Sequence, residues 1–197
     1  MEHILIADIQ DDLGNSVANE LDSAIFVHCD VRIEEDVENV VNIAVSKFDK
    51  LDIMFNNAGI SDEITTIVDH KKSDFEKVIS TNVVGPFLGT KHVARVMIPT
   101  RKGCIINTAS VAGINAGVAP HGYTCSKHAL VGLMKNTAVE LGQYGIRVND
   151  ISPYIVATPL TKKILNIDES NIDKLYSNLK GIHLVPNDVA EAALLGK

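Results

Sequence analysis

Short apolar runs alternate with longer amphipathic stretches along nearly the whole chain. Ile4-Leu5-Ile6-Ala7 ends in Asp8, and Leu13, Val17 and Leu21 then recur at helical spacing, which predicts a strand followed by a helix from about Asp11 to Leu21. Ala24 to Cys29 predicts a second strand and Glu34 to Phe48 a second helix, with Asp30-Val31 between them. A third strand is expected over Leu51 to Asn56, running into Asn57-Ala58-Gly59. Residues from about Ser73 to Val93 are apolar at helical spacing and broken by Gly85-Pro86. Gly103 onward reads as a strand delivering Ser110 at its carboxyl end. A Gly113 to Gly117 loop then leads into a helix reaching about Gln143, and Arg147 to Ser152 forms a further strand. Pro186-Asn187-Asp188 opens a last helix, with proline and an acid in its first turn as that end favours. Strands alternating with helices, with no internal repeat, predict an α/β doubly wound parallel sheet.

Composition narrows the function classes. A chain of 197 residues is one domain by length. Its net charge of −7, with both signs scattered, argues against nucleic acid or an anionic membrane as partner. No apolar run approaches the roughly 20 residues needed to span a bilayer. The start, Met1-Glu2-His3-Ile4, has neither the basic segment nor the apolar core of a signal peptide, so a cytoplasmic location is expected. Cys29, Cys104 and Cys125 lack CxxC spacing and read as free buried thiols rather than a disulfide or zinc site. The seven histidines are dispersed, so no metal is expected.

The candidate chemistry centres on Tyr123 and Lys127. Four residues apart on a helix, both side chains project from one face. A phenol with a pKa near 10 is a poor acid or base at neutral pH, and a neighbouring ammonium lowers that value toward the working range. Ser110 can hold a substrate oxygen while Tyr123 exchanges the proton. No side chain carries hydride, so the arrangement implies a nicotinamide cofactor. Asp8, at the end of its strand, suits the adenosine ribose and would repel the extra phosphate of NADP, which predicts NAD. The competing reading of Asp8, and of Asp30, is a helix cap.

Ser110 precedes Tyr123 by 123 − 110 = 13 positions, Asn56-Asn57-Ala58-Gly59 stands far upstream, and Asn82 sits in Thr81-Asn82-Val83-Val84-Gly85. With these motifs the chain resembles the short-chain dehydrogenase/reductase family in its classical form, from residue 3 to about residue 195. The resemblance implies a Rossmann-type fold and a catalytic tetrad of Asn82, Ser110, Tyr123 and Lys127, with Asn82 supporting a water-linked proton path to the lysine. It assigns Asp30 and Val31 to the adenine, and Asn56, Ala58 and Gly59 to the adenosine side and to sheet stability. Val156 and Thr158 fall to the nicotinamide amide and phosphate, with Tyr123 and Lys127 at the reacting end. Tyr154 replaces a glycine, as in plant members, and Ile155 departs from the glycine those members often carry next. The segment Leu160 to Lys180 is implied to lid the substrate, and the Ser73 to Val93 helix to contribute to a dimer interface.

Phrases such as Asp8-Ile9-Gln10-Asp11 and Ser152-Pro153-Tyr154 resemble plant dehydrogenases of the secoisolariciresinol, xanthoxin and momilactone type, which implies a small terpenoid or phenolic alcohol or ketone as substrate. Members of the family begin with a strand and a glycine-rich turn that holds the pyrophosphate, whereas this chain starts at their second strand and stops before their last. Residues 1–197 are thus expected to form a single, incomplete NAD-binding domain. In the strand order 3-2-1-4-5-6 the missing strand is central, which leaves two edges facing each other across roughly 10 Å, and the sheet either closes up or stays split. The implied partners are the small-molecule substrate and either a homo-oligomer or a full-length homologue. The alternatives to an active enzyme are a non-catalytic fragment that pairs with such a homologue, or an incomplete gene model.

Overall fold

Five strands in the computed structural model, which describes residues 3–156, 158–165 and 184–196, fall into two parallel sheets. β1 (Ile4–Asp8) pairs with β2 (Ala24–His28). β3 (Ile53–Asn56), β4 (Gly103–Thr108) and β5 (Ile146–Ile151) form a three-stranded sheet in that order. The sheet has therefore stayed split, with one edge each of β1 and β3 lacking a strand partner among the described residues. A cavity of about 1040 Å³ lies between these edges, lined by Leu5, Ala7 and Asp8 on one side and Met54, Phe55 and Asn56 on the other.

Helix packing explains why the edges do not close on each other. α2 (Glu34–Phe48) buries Val37, Val40, Val41 and Ala44, the i, i+3, i+4, i+7 stripe of an amphipathic helix. Glu34, Glu35 and Asp36 stand in its first turn and Lys47 in its last, each at the end where the helix dipole favours it. α2 packs on α4 (Gly85–Thr100), where Leu88 joins Cys29, Val37 and Val40 in one apolar cluster. Glu34 pairs with Lys91 and His92, and Glu38 with Arg95, so the helices that flank the cavity are fixed to each other. A second cluster, Val93, Met97, Ile105, Leu141, Ile146 and Val148, packs α4 and α5 (His121–Gly142) onto the three-stranded sheet.

Gly85-Pro86 does not break the long helix. α3 (Lys72–Ile79) passes through a π-helical turn, Ser80–Val84, directly into α4. Pro86 has no N–H to give the carbonyl four residues back, and its ring would clash there. Widening the preceding turn accommodates both, and that turn holds Asn82. Shorter helices α1 (Asp11–Asn19), α6 (Pro159–Leu165) and α7 (Pro186–Gly196) complete the order. Most of the expected Leu160 to Lys180 lid lies outside the described residues. Of the three free cysteines, Cys29 and Cys104 are buried as expected but Cys125 is exposed, on the outer face of α5. Among the described residues no helix is long and apolar enough to cross a membrane.

Candidate active site

Ser110 follows β4 by two residues and opens a single 3-10 turn, Val111–Gly113, its Oγ accepting the Ala112 amide at 3.1 Å. Tyr123 and Lys127 lie in the first two turns of α5 on one face, with the lysine Nζ 5.3 Å from the centre of the tyrosine ring. The Ser110 side chain lies near enough to the Tyr123 phenol to lower its pKa. Tyr123 and Lys127 thus share a helix face, as their spacing predicts, and Ser110 stands near the phenol, as the resemblance implies.

The electrostatics differ from the sequence expectation. Burial pushes the Tyr123 phenol up from its usual range, and the Ser110 side chain is what draws it back. Lys127, only 4% exposed, is pushed by burial down to about 8, with the Asp150 charge opposing. Its ammonium donates to the Thr108 carbonyl at 2.6 Å and faces the ring of Tyr123. Desolvation therefore outweighs the expected acidification of the phenol by the lysine.

Asn82 is 1% exposed and its amide is fully committed. Oδ1 accepts from the Ile60 amide at 2.9 Å, and Nδ2 donates to the Ile60 carbonyl at 2.8 Å and to Ser126 Oγ at 3.0 Å. Gly59 lies against the same pair: a Cβ there would stand 3.5 Å from Asn82 Oδ1 and 3.8 Å from Lys127 Nζ. The tetrad is therefore one neighbourhood.

The residues assigned to cofactor divide into groups. Asp8, Val31, Asn56 and Ala58 line the cavity between the sheets. Asp8 is no helix cap: Oδ1 accepts the Gln10 amide at 2.9 Å, and Oδ2 has no hydrogen bond among the described residues. Asp30 does not cap α2 either. Its carboxylate binds Arg32, which holds its pKa below the usual carboxylate range. Val156 is buried and bridges to Leu184, and Thr158 Oγ1 accepts the Thr161 amide at 3.3 Å, capping α6. Thr108 links the cavity to the catalytic cluster, because its hydroxyl donates to Asn57 Oδ1 at 2.7 Å while its carbonyl receives Lys127.

Sequence reasoning missed Asp62, His70, Asn107 and Asp150. Asn107 Oδ1 accepts from Asn56 at 2.9 Å, and its Nδ2 donates to Asp150 Oδ1 at 2.8 Å. Burial raises Asp150 to about 6, against the pull of Asn107 and Lys127. Only Asn107, polar directly after the apolar run Cys104-Ile105-Ile106 of β4, carried a visible signal.

A family model described as enoyl-(acyl carrier protein) reductase matches residues 2–195. The protein is a short-chain dehydrogenase/reductase. The chain is 55% identical to the mitochondrial borneol dehydrogenase of Lavandula x intermedia, over 97% of this chain and 72% of that protein. Its fold superposes on the crystal structure of levodione reductase with a TM-score of 0.91 at 30% identity, covering 98% of this chain and 80% of that one. ElxO with NADP bound gives a TM-score of 0.86 at 29% identity, again over 98% and 80%.

Proposed function

We propose that this dehydrogenase is an NAD-dependent, cytosolic enzyme that interconverts a secondary alcohol and a ketone on a small apolar metabolite of the terpenoid or phenolic kind. The observation that carries the reading is the convergence of Ser110, Tyr123 and Lys127 at the carboxyl end of β4, where ligands sit in open α/β sheets. Ser110 holds the substrate oxygen by a hydrogen bond, and Tyr123 gives or takes the proton on that oxygen. Lys127 keeps a positive charge beside the ring and, with Asn82, fixes the face that Tyr123 presents. When bound, the cofactor supplies the hydride donor or acceptor. The uncommitted Asp8 Oδ2 fits the ribose hydroxyls, with Asp30 and Val31 near the adenine, Asn56, Ala58 and Gly59 along the adenosine side, and Val156 and Thr158 toward the nicotinamide. The lavender relative, a borneol dehydrogenase, favours a compact apolar alcohol.

Tyr123→Phe should abolish turnover of borneol with NAD while circular dichroism stays that of the wild type. Unchanged turnover would remove Tyr123 from the mechanism. Fluorescence titration should show saturable NADH binding and a preference over NADPH that Asp8→Ser narrows; equal binding of the two by the wild type would sink the assignment of Asp8.

A second reading, a non-catalytic chain that pairs with a homologue, is favoured by the open cavity between β1 and β3. Under it, the folded chain fails to bind NADH and co-purifies with the homologue.

A further inference from the structure

The loop between β3 and α3 holds Tyr123 from both ends of its peptide unit. Asp62 lies in this loop with its side chain fully buried. Its Oδ1 accepts the Tyr123 amide at 2.9 Å and its Oδ2 the Gly122 amide at 2.7 Å. These are two of the N–H groups that the start of any helix leaves unpaired. Pro120, the residue at the cap position, supplies no side-chain bond, so the cap for α5 comes from about sixty residues upstream. The Tyr123 carbonyl accepts from Ser126 Oγ at 2.7 Å, Ser126 accepts from Asn82 at 3.0 Å, and Asn82 is bound to both backbone groups of Ile60. Ile60 and Asp62, two residues apart, thus reach the nitrogen and the oxygen of Tyr123 by separate routes.

A buried carboxylate is costly unless it is hydrogen-bonded on several sides. His70, with its side chain 8% exposed, brings Nε2 to 3.1 Å from Asp62 Oδ2, while Thr65 Oγ1 stands 3.0 Å from its Nδ1. A carboxylate only accepts, so Nε2 carries the hydrogen and Nδ1 can receive the Thr65 hydroxyl. The Nε2 contact is close but off the hydrogen-bond line, so the ring backs Asp62 through its N–H dipole and through packing. Phe75 and His121 stand edge-on to it and wall the pair off. The fit at Gly122 is equally tight, since a Cβ there would stand 2.7 Å from Asp62 Oδ2.

We propose that Asp62, backed by His70, is a positioning residue for proton transfer: it sets where the first turn of α5 holds the Tyr123 phenol relative to Ser110. The proposal rests on the reading of Tyr123 as the acid/base. Misplacement of a reacting group by about 1 Å costs on the order of 100-fold in rate. The Asp62 carboxylate accepts the Gly122 and Tyr123 amides and bonds none of the residues assigned to the adenosine half of the cofactor, so the loss belongs in kcat.

With borneol and NAD, Asp62→Ala should lower kcat about 100-fold and leave KM for NAD within about twofold, and Asp62→Asn, which keeps one acceptor, should fall between. Hydrogen exchange at the Gly122 and Tyr123 amides should quicken in both. An unchanged kcat in a variant whose amides exchange faster would overturn the proposal, because the cap would then be structural only; unchanged exchange would overturn it as well. Should Asp62→Ala fail to fold, Asp62→Asn carries the same test. A wild type without turnover would instead defeat the reading of Tyr123, and the exchange measurement, which needs no turnover, would still decide whether Asp62 holds α5.

Discussion

The Lys127 ammonium is bound to the carbonyl of Thr108, at 2.6 Å, and not to the phenol it faces. The strand that delivers Ser110 therefore also fixes the lysine. Thr108 ends β4, and Ser110 stands two residues further on.

Lys127 carries its charge at a cost. Its pKa of about 8 against an ordinary 10.5 means that the unfolded chain binds more protons between these values. Stability contributed by this group therefore rises as pH rises through that window, and the penalty is full below about 8. It amounts to about 3 kcal/mol at neutral pH. Lys127→Met should be inactive, and chemical denaturation should show its stability relative to wild type declining by that order between pH 8 and 10.5. A difference that does not vary with pH would show that Lys127 titrates normally.

Ser110→Ala removes the hydroxyl that lowers the Tyr123 pKa. The ultraviolet titration of Tyr123, obtained by difference against Tyr123→Phe, should move further upward, and kcat should drop by about 100-fold. An unmoved titration would mean that the hydroxyl does not engage the phenol in solution.

Asp150→Asn deletes the charge that supports the Lys127 ammonium, while Asn retains the oxygen that Asn107 binds. The midpoint of Lys127 should fall below about 8, and with it the alkaline limb of any Lys127-dependent rate. The pH profile of kcat, compared with that of wild type, reads this directly; an upward move contradicts the assignment.

Gly89→Ala tests the packing of α4 on β3. A Cβ at Gly89 would stand 2.2 Å from Asn56 Oδ1 and 2.9 Å from the Met54 methyl. Overpacking of this kind costs typically about 1–3 kcal/mol. Thermal unfolding should show the loss. An unaltered Tm would mean that Asn56 moves aside freely.

Much of this was legible in the sequence because local patterns carried it. The helix expected over about Glu34 to Phe48 matches α2 in its bounds, and the Tyr123 to Lys127 spacing predicted a shared helix face. The π-helical turn was not legible, because Gly85-Pro86 signals a break in the helix and only the packed structure shows the strain absorbed one turn earlier. The direction of the Tyr123 shift also escaped, since proximity to a lysine is written in the spacing and burial is not. Asp62 escaped for the same reason as most long-range caps: its partners are about sixty residues away, and nothing nearby points to them.

Asn56, Asn107 and Asp150 occupy mutually paired positions of β3, β4 and β5, and their side chains form a second row of hydrogen bonds beside the backbone ladder. Apolar neighbours such as Ile105, Ile106 and Val148 would pack nearly as well if a strand slid along its partner. The polar row would not, because a slip of one residue turns each of these side chains to the opposite face and strands buried donors and acceptors at about 1–3 kcal/mol apiece. The row works as a key that admits one alignment of the sheet, and so sets the height at which Ser110 leaves β4 to meet Tyr123.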